Sequence, residues 1–143
     1  MARVDFYILP DDNLNNLRLF ACRLAEKAWQ QGQRILIRTE NGDEARRMDD
    51  LLWTFRDGSF IPHGLAGSED QDQQPILIGP GNQPLPQIPL LINMCADTVQ
   101  PDAAERVAEI VNQEAGLKQR GREHYKMYRE QGHELHHHEM NQP

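Results

Sequence analysis

The apolar positions change period along the chain. Val4 to Leu9, "VDFYIL", is a short β-rich run stopped by Pro10 and predicts a first strand. From Asn13 the spacing becomes helical: Leu17, Phe20, Ala21, Leu24 and Ala28 share one stripe, and Arg18, Arg23, Glu26 and Lys27 fall off it, up to Gly32. "RILIRT" predicts a second strand, and "NGDEARRMDDLLWTF" a second helix with acids in its first turn, where the helix dipole favours them. Strand, helix, strand, helix is how a parallel α/β sheet begins.

Gly58 to Gln74 has no periodicity and predicts a long exposed loop. "PILIGP" and "IPLLINM" follow as two fully apolar runs, each suited to an interior strand, joined by the turn-rich "GPGNQPLPQ". From Pro101, Ala104, Val107, Ala108 and Val111 recur at helical spacing, with Ile110 beside them, which predicts a helix up to Gly116. A final helix is expected from Leu117 to about Gln131. The polar "HELHHHEMNQP" after it is expected to fray, so the domain spans residues 1–132 and a flexible His-rich tail residues 133–143.

A chain of 143 residues is long enough to bury one core unaided. The net charge of −7 argues against a general nucleic-acid binder, because phosphate recognition rests on summed Lys and Arg contacts. The two cysteines, Cys22 and Cys95, lack C-x-x-C spacing and fit a reducing compartment. No secretory signal and no apolar run near the roughly 20 residues of a membrane span is present, so a cytoplasmic location is expected.

Charge is segregated: no Lys or Arg lies between Arg56 and Arg106. Leu117 to Arg129 instead carries Lys118, Arg120, Arg122, Lys126 and Arg129 against one acid, Glu123. On a helix Lys118, Arg122, Tyr125, Lys126 and Arg129 share a face, which suits a carboxylate or an acidic peptide, Arg offering a bidentate donor and Tyr an apolar wall. The plainer reading is a solvated face whose cations suit the helix C-terminus.

Other chemistry is thinly supported. His133, His136, His137 and His138 sit in polar sequence without a Cys partner, which is poor material for a closed zinc site. His63 has no adjacent Ser or Cys nucleophile to serve. A nucleotide-binding enzyme is an alternative that fits the opening elements, yet neither G-x-G-x-x-G nor G-x-x-x-x-G-K-[ST] occurs. Direct single-stranded DNA binding would have only Tyr125 and Tyr128 as stacking platforms on the basic helix, and is expected to be weak and salt-dependent.

In order along the chain, "DFYIL", "MDDLLWTF", "SFIPHGLAG" and "LKQRGREHYKMYREQG" resemble the chi subunit of the bacterial DNA polymerase III holoenzyme, from Asp5 to Gly132. The resemblance implies a single three-layer α/β domain with a mainly parallel sheet flanked by helices, Rossmann-like in architecture but without a nucleotide-binding motif. It implies no catalysis and no cofactor. The implied partners are the psi subunit, through which such proteins reach the clamp loader, and the acidic C-terminal tail of single-stranded DNA-binding protein, which ends in Pro-Phe. Arg122 matches the residue that pairs with the terminal carboxylate, Tyr125 a wall of the Phe pocket, and Lys118 and Lys126 basic residues near the preceding acids. Arg120 and Gly121 stand where apolar or small residues are expected. Trp53 and Phe60 match aromatics presented to psi, with Pro62 and His63 beside them. Burial of Trp53 and Leu52 as the end of the second helix is the competing reading, since interface anchors and core residues are drawn from the same apolar types.

Overall fold

A computed structural model describes residues 2–56, 60–68, 73–80, 88–98 and 104–140. Among them seven strands form one sheet in the order β3-β4-β2-β5-β6-β1-β7, and every described pairing is parallel. The first four elements are those the periodicity predicts: β1 (Arg3–Ile8), α1 (Leu14–Gln30), β2 (Ile35–Thr39) and α2 (Gly42–Thr54). Asn13 caps α1 by accepting from the Asn16 amide at 3.0 Å, and Asn41 caps α2 by accepting from the Glu44 amide at 2.9 Å. Both caps satisfy an amide that the first helical turn leaves without an intrahelical partner. Gly32 ends α1 at φ +80°, a conformation that glycine adopts without a Cβ penalty.

The strands β4 (Ile76–Pro80) and β5 (Ile88–Asn93) are the two apolar runs. Ile35, Leu36 and Ile37 of β2 pair with Ile76, Leu77 and Ile78 of β4, and all six are fully buried. Consecutive burial is what a parallel strand with both faces covered requires. Ile35, Ile37, Ile76, Ile78 and Ile92 pack with α1 and α2 in one core. On the other face Val4, Phe6, Leu36, Leu77 and Leu91 pack in a second core with Tyr128 of α3 (Ala115–Glu130). The result is a single three-layer α/β domain.

Residues 104–111 correct the predicted helix: Ala104–Val111 is the strand β6, between β5 and β1, with Val107 opposite Leu91 and Val4. The apolar spacing of Ala104, Val107, Ala108 and Val111 fits both periods over so short a run. The β-branched Val107, Ile110 and Val111 favour the strand. Val107 joins the core under α3, and Ala108 and Ile110 join the core under α1 and α2. Helical residues would have filled only one of the two.

The frayed tail is also corrected, because Glu134–Glu139 forms β7, in parallel register with β1 from Arg3↔Glu134 to Ile8↔Glu139. Side chains fix this polar edge strand in place. The His133 ring accepts from the Ala2 amide at 3.1 Å, Leu135 packs against the second core, and His138 bonds Asp5 at 2.9 Å and stacks on Tyr7 at 5.0 Å. Asp5, 1% exposed, also pairs with Arg3 and Arg106. Burial works against its charge, but Arg3, His138 and Arg106 hold its carboxyl below the ordinary range. A third difference is β3 (His63–Leu65), a short edge strand inside the expected loop. The connector at residues 81–87, the acidic stretch at 69–72 and residues 101–103 lie outside the described residues. No helix among the described residues is long and apolar enough to cross a membrane.

A chain ending at Gly132 tests the role of β7. Removal of a paired strand is expected to lower Tm by more than about 5 °C, whereas loss of a frayed tail would leave it unchanged in a thermal melt.

Candidate partner-binding site

Helix α3 has two faces with different tasks. His124, 3% exposed, and Tyr128, 1% exposed, lie one turn apart and point inward to Glu109 of β6, itself 4% exposed. The Tyr128 hydroxyl donates to one carboxylate oxygen at 2.8 Å, and Asn93 donates its amide to the same oxygen at 2.7 Å. The His124 ring meets the other oxygen at 3.0 Å through Nδ1 and the Ala96 carbonyl at 2.6 Å through Nε2. Both ring nitrogens face acceptors, so the arrangement calls for the doubly protonated ring. Burial works against that charge, and Arg120 opposes it too, but the hydrogen bond and charge of Glu109 and the Ala96 carbonyl outweigh them and raise the His124 pKa.

The helix start is set by Glu114, whose carboxylate accepts from the Gly116 and Leu117 amides at 3.0 and 2.9 Å. Its inward face then meets β6 at Gly121. A Cβ there would stand 2.7 Å from Val111 Cγ2. Glycine in mid-helix costs about 1 kcal/mol against alanine, so its presence marks a backbone that must come close.

Beside that close approach lies a cavity of about 380 Å³. Phe6 and Ile8 of β1, Val111 of β6 and Tyr125 of α3 supply apolar walls, and Lys118 and Arg122 line it as well. The Tyr125 ring packs on Phe6 with centroids 5.3 Å apart. Of the four residues expected on the basic face, Lys118, Arg122 and Tyr125 line one cavity, and Lys126 stands exposed one residue beyond Tyr125. Elsewhere Arg3, Arg18, Arg46, Arg47, Arg56 and Arg106 pair with carboxylates. Among the described residues none of Lys118, Arg120, Arg122, Lys126 and Arg129 has an ion-pair partner. Lys118, Arg122, Lys126 and Arg129 are thus cations without a paired carboxylate on one helix of an acidic protein, whereas Arg120 lies near enough to Glu40 and Glu114 to favour their charged forms.

Sequence reasoning missed the strand-borne half of this cavity. Phe6, Ile8 and Val111 come from β1 and β6, over a hundred residues apart in the chain, and His137 comes from the stretch read as tail. Gly121 was the available signal, as a helix-breaking residue inside a strong helical pattern.

The second expected surface lies beside β3, at one edge of the sheet. Leu52 is 2% exposed and belongs to the core, but Trp53 is 51% and Phe60 63% exposed, with rings 5.3 Å apart. His63 is buried beneath Trp53, with ring centroids 4.6 Å apart; its Nδ1 donates to the Ile61 carbonyl at 2.7 Å, and its Nε2 lies 3.3 Å from Asp49 without a hydrogen bond. Pro62 is half-buried. Trp53 and Phe60 therefore form an open aromatic pair, and the His63 ring lies against Trp53 from beneath. The histidines near the C-terminus diverge toward Ala2, Glu134 and Asp5, and among the described residues no three His, Cys, Asp or Glu side chains are placed to hold a metal.

Residues 1–136 match the family model described as DNA polymerase III chi subunit, HolC. The chain belongs to the DNA polymerase III chi subunit family. It is 38% identical over 142 residues to the DNA polymerase III subunit chi of Pseudomonas aeruginosa, covering 98% of each chain. It is 33% identical over 141 residues to that of Escherichia coli, covering 94% of this chain and 96% of the other. Among solved structures, the fold is similar to T4 UvsW, with a TM-score of 0.63 at 8% identity, over 97% of this chain and 41% of that one. The C-terminal domain of the DEAD-box protein Dbp5 gives a TM-score of 0.59 at 13% identity, over 96% of this chain and 91% of that one. Those two likenesses concern the fold alone.

Two outcomes follow from the seating of α3. Since the folded His124 pKa is raised, its stabilisation is full below the unfolded value near 6.5 and is lost as pH rises through the folded value. The difference in urea stability between the wild type and His124→Gln is therefore expected to be larger at pH 6 than at pH 9, and a constant difference would mean a neutral ring. Gly121→Ala is expected to destabilise by about 1–3 kcal/mol through overlap with stiff, β-branched Val111. In an open helix the same change would stabilise by about 1 kcal/mol, and urea titration distinguishes the two signs.

Proposed function

We propose that the protein is a bridging adaptor of the replicative polymerase with no catalysis of its own. In this reading the cavity beside α3 takes the C-terminal end of the acidic tail of single-stranded DNA-binding protein. Trp53 and Phe60, backed by Pro62 and His63, take the psi subunit, and through psi the protein reaches the clamp loader. The observation that carries the reading is an Arg122 with no carboxylate partner among the described residues, on an apolar cavity walled by Tyr125 and Phe6. A terminal Phe fills such a space while its carboxylate takes two parallel hydrogen bonds from the guanidinium. Lys118 and Lys126 then meet the preceding acids, an attraction that salt screens because both cations are at the surface. The second cluster has the character of an interface anchor: two large aromatic rings, exposed and in contact, on a buried support. The adaptor works in the cytoplasm, needs no cofactor and makes little direct contact with nucleic acid.

The test is fluorescence anisotropy with an acidic peptide ending in Pro-Phe, carrying either a free or an amidated terminus. Amidation, or Arg122→Ala against the free peptide, is expected to weaken binding at least about tenfold, since a hydrogen bond to a charged group contributes about 1.5–3 kcal/mol. Trp53→Ala with Phe60→Ala is expected to abolish retention of psi in pull-down while leaving the peptide titration unchanged. Equal affinity for both peptides would remove the carboxylate clamp from the reading.

A further inference from the structure

The carboxyl ends of β1, β2, β5 and β6 open on a different cavity, of about 560 Å³, that neither partner surface uses. In open parallel sheets this is where ligands bind. The start of each helix borders it, through Leu14 of α1, Glu44 of α2 and Leu117 of α3. Helix starts usually attract anions. Here they are already capped by Asn13, Asn41 and Glu114, and the rim adds Asp12 and Glu40. Four carboxylates, Asp12, Glu40, Glu44 and Glu114, face two guanidiniums, Arg18 and Arg120. The Ala96 amide holds the Glu40 carboxyl below its ordinary range, and the Gly116 and Leu117 amides do the same for Glu114. A phosphate would meet net negative charge.

Two further features define what does fit. The first is apolar: Leu17, Met94 and Ile110 line the cavity, and Leu14, 46% exposed, stands open on it. The second is Arg18, whose side chain is 10% exposed. Its Nη2 donates to both Glu44 oxygens at 3.1 and 3.2 Å, but its buried Nε has no acceptor among the described residues. A buried donor without an acceptor is costly, and a neutral carbonyl satisfies it without adding negative charge.

We propose that this crevice docks a short basic and apolar segment of a partner protein. One apolar side chain packs on Leu14, Leu17 and Leu117, a main-chain carbonyl accepts from Arg18 Nε, and a flanking Lys or Arg meets Asp12 and Glu40. A peptide supplies carbonyl, apolar group and cation together, which a nucleotide or a simple amine does not. Helix α3 walls both cavities, Leu117 and Arg120 on this one and Lys118 and Arg122 on the other, so the two ligands carry opposite charge.

The test is a ¹H–¹⁵N NMR titration of the whole chain with acetyl-Ala-Lys-Leu-Lys-Ala-amide, up to about 10 mM because so small a contact binds weakly. Acetyl-Ala-Glu-Leu-Glu-Ala-amide and ATP are the comparison ligands. The Lys peptide is expected to shift the amides of Asp12, Leu14, Leu17, Ala96 and Leu117 saturably and to leave Tyr125 unmoved. Asp12→Lys with Leu14→Ser, both at exposed positions, is expected to weaken this binding about tenfold without changing the thermal melt. Absence of shifts in the crevice, equal shifts with the Glu peptide or ATP, or undiminished binding by the double variant would overturn the proposal.

Discussion

One buried carboxylate carries much of the arrangement of this molecule. Glu109 sits in the interior of β6, takes hydrogen bonds from Asn93 of β5 and Tyr128 of α3, and meets the His124 ring. A charge in that position is tolerable only because both its oxygens are engaged. The requirement fixes the rotation of α3 about its own axis: once His124 and Tyr128 point inward, Lys118, Arg122 and Tyr125 must point to the flank. Gly121 then sets the depth of the helix and Glu114 its start. The placement of the basic face is thus a consequence of interior polar bonding, and no surface interaction is needed to hold it.

Asp5 plays a comparable part at the sheet edge. Its bonds to Arg3, Arg106 and His138 connect β1, β6 and β7 side by side. A polar strand such as "ELHHHE" has little apolar area to bury, so directed bonds do what packing does for β2 and β4. These bonds bring His137 to the cavity that Arg122 lines.

How much of this was legible in the sequence depended on whether the deciding contact was local. Periodicity, first-turn acids and a glycine stop are written within a few residues, and α1, β2 and α2 followed from them. The composition of α3 also displayed its basic face directly. For β6 the choice between strand and helix lay with neighbours far away in the chain, Val4 and Leu91, and the spacing of its alanines and valines was compatible with either. For β7 the decisive partner was Asp5, 133 positions from His138. The roles of Leu52 and Trp53 were likewise inseparable until the packing of α2 against the sheet put one inside and the other out.

The sheet order has a consequence for synthesis. β1 is made first, yet its two neighbours, β6 and β7, belong to residues 104–111 and 134–139. While the chain grows, the apolar Val4 and Phe6 have no strand beside them, whereas β2 and β4 can already pair. Closing the sheet around β1 joins the two ends of the chain, the kind of distant contact that slows folding. A ribosome that stalls late on this message therefore leaves behind a nearly full-length chain whose first strand is still exposed, a species prone to stick to its own kind and a natural client for chaperones.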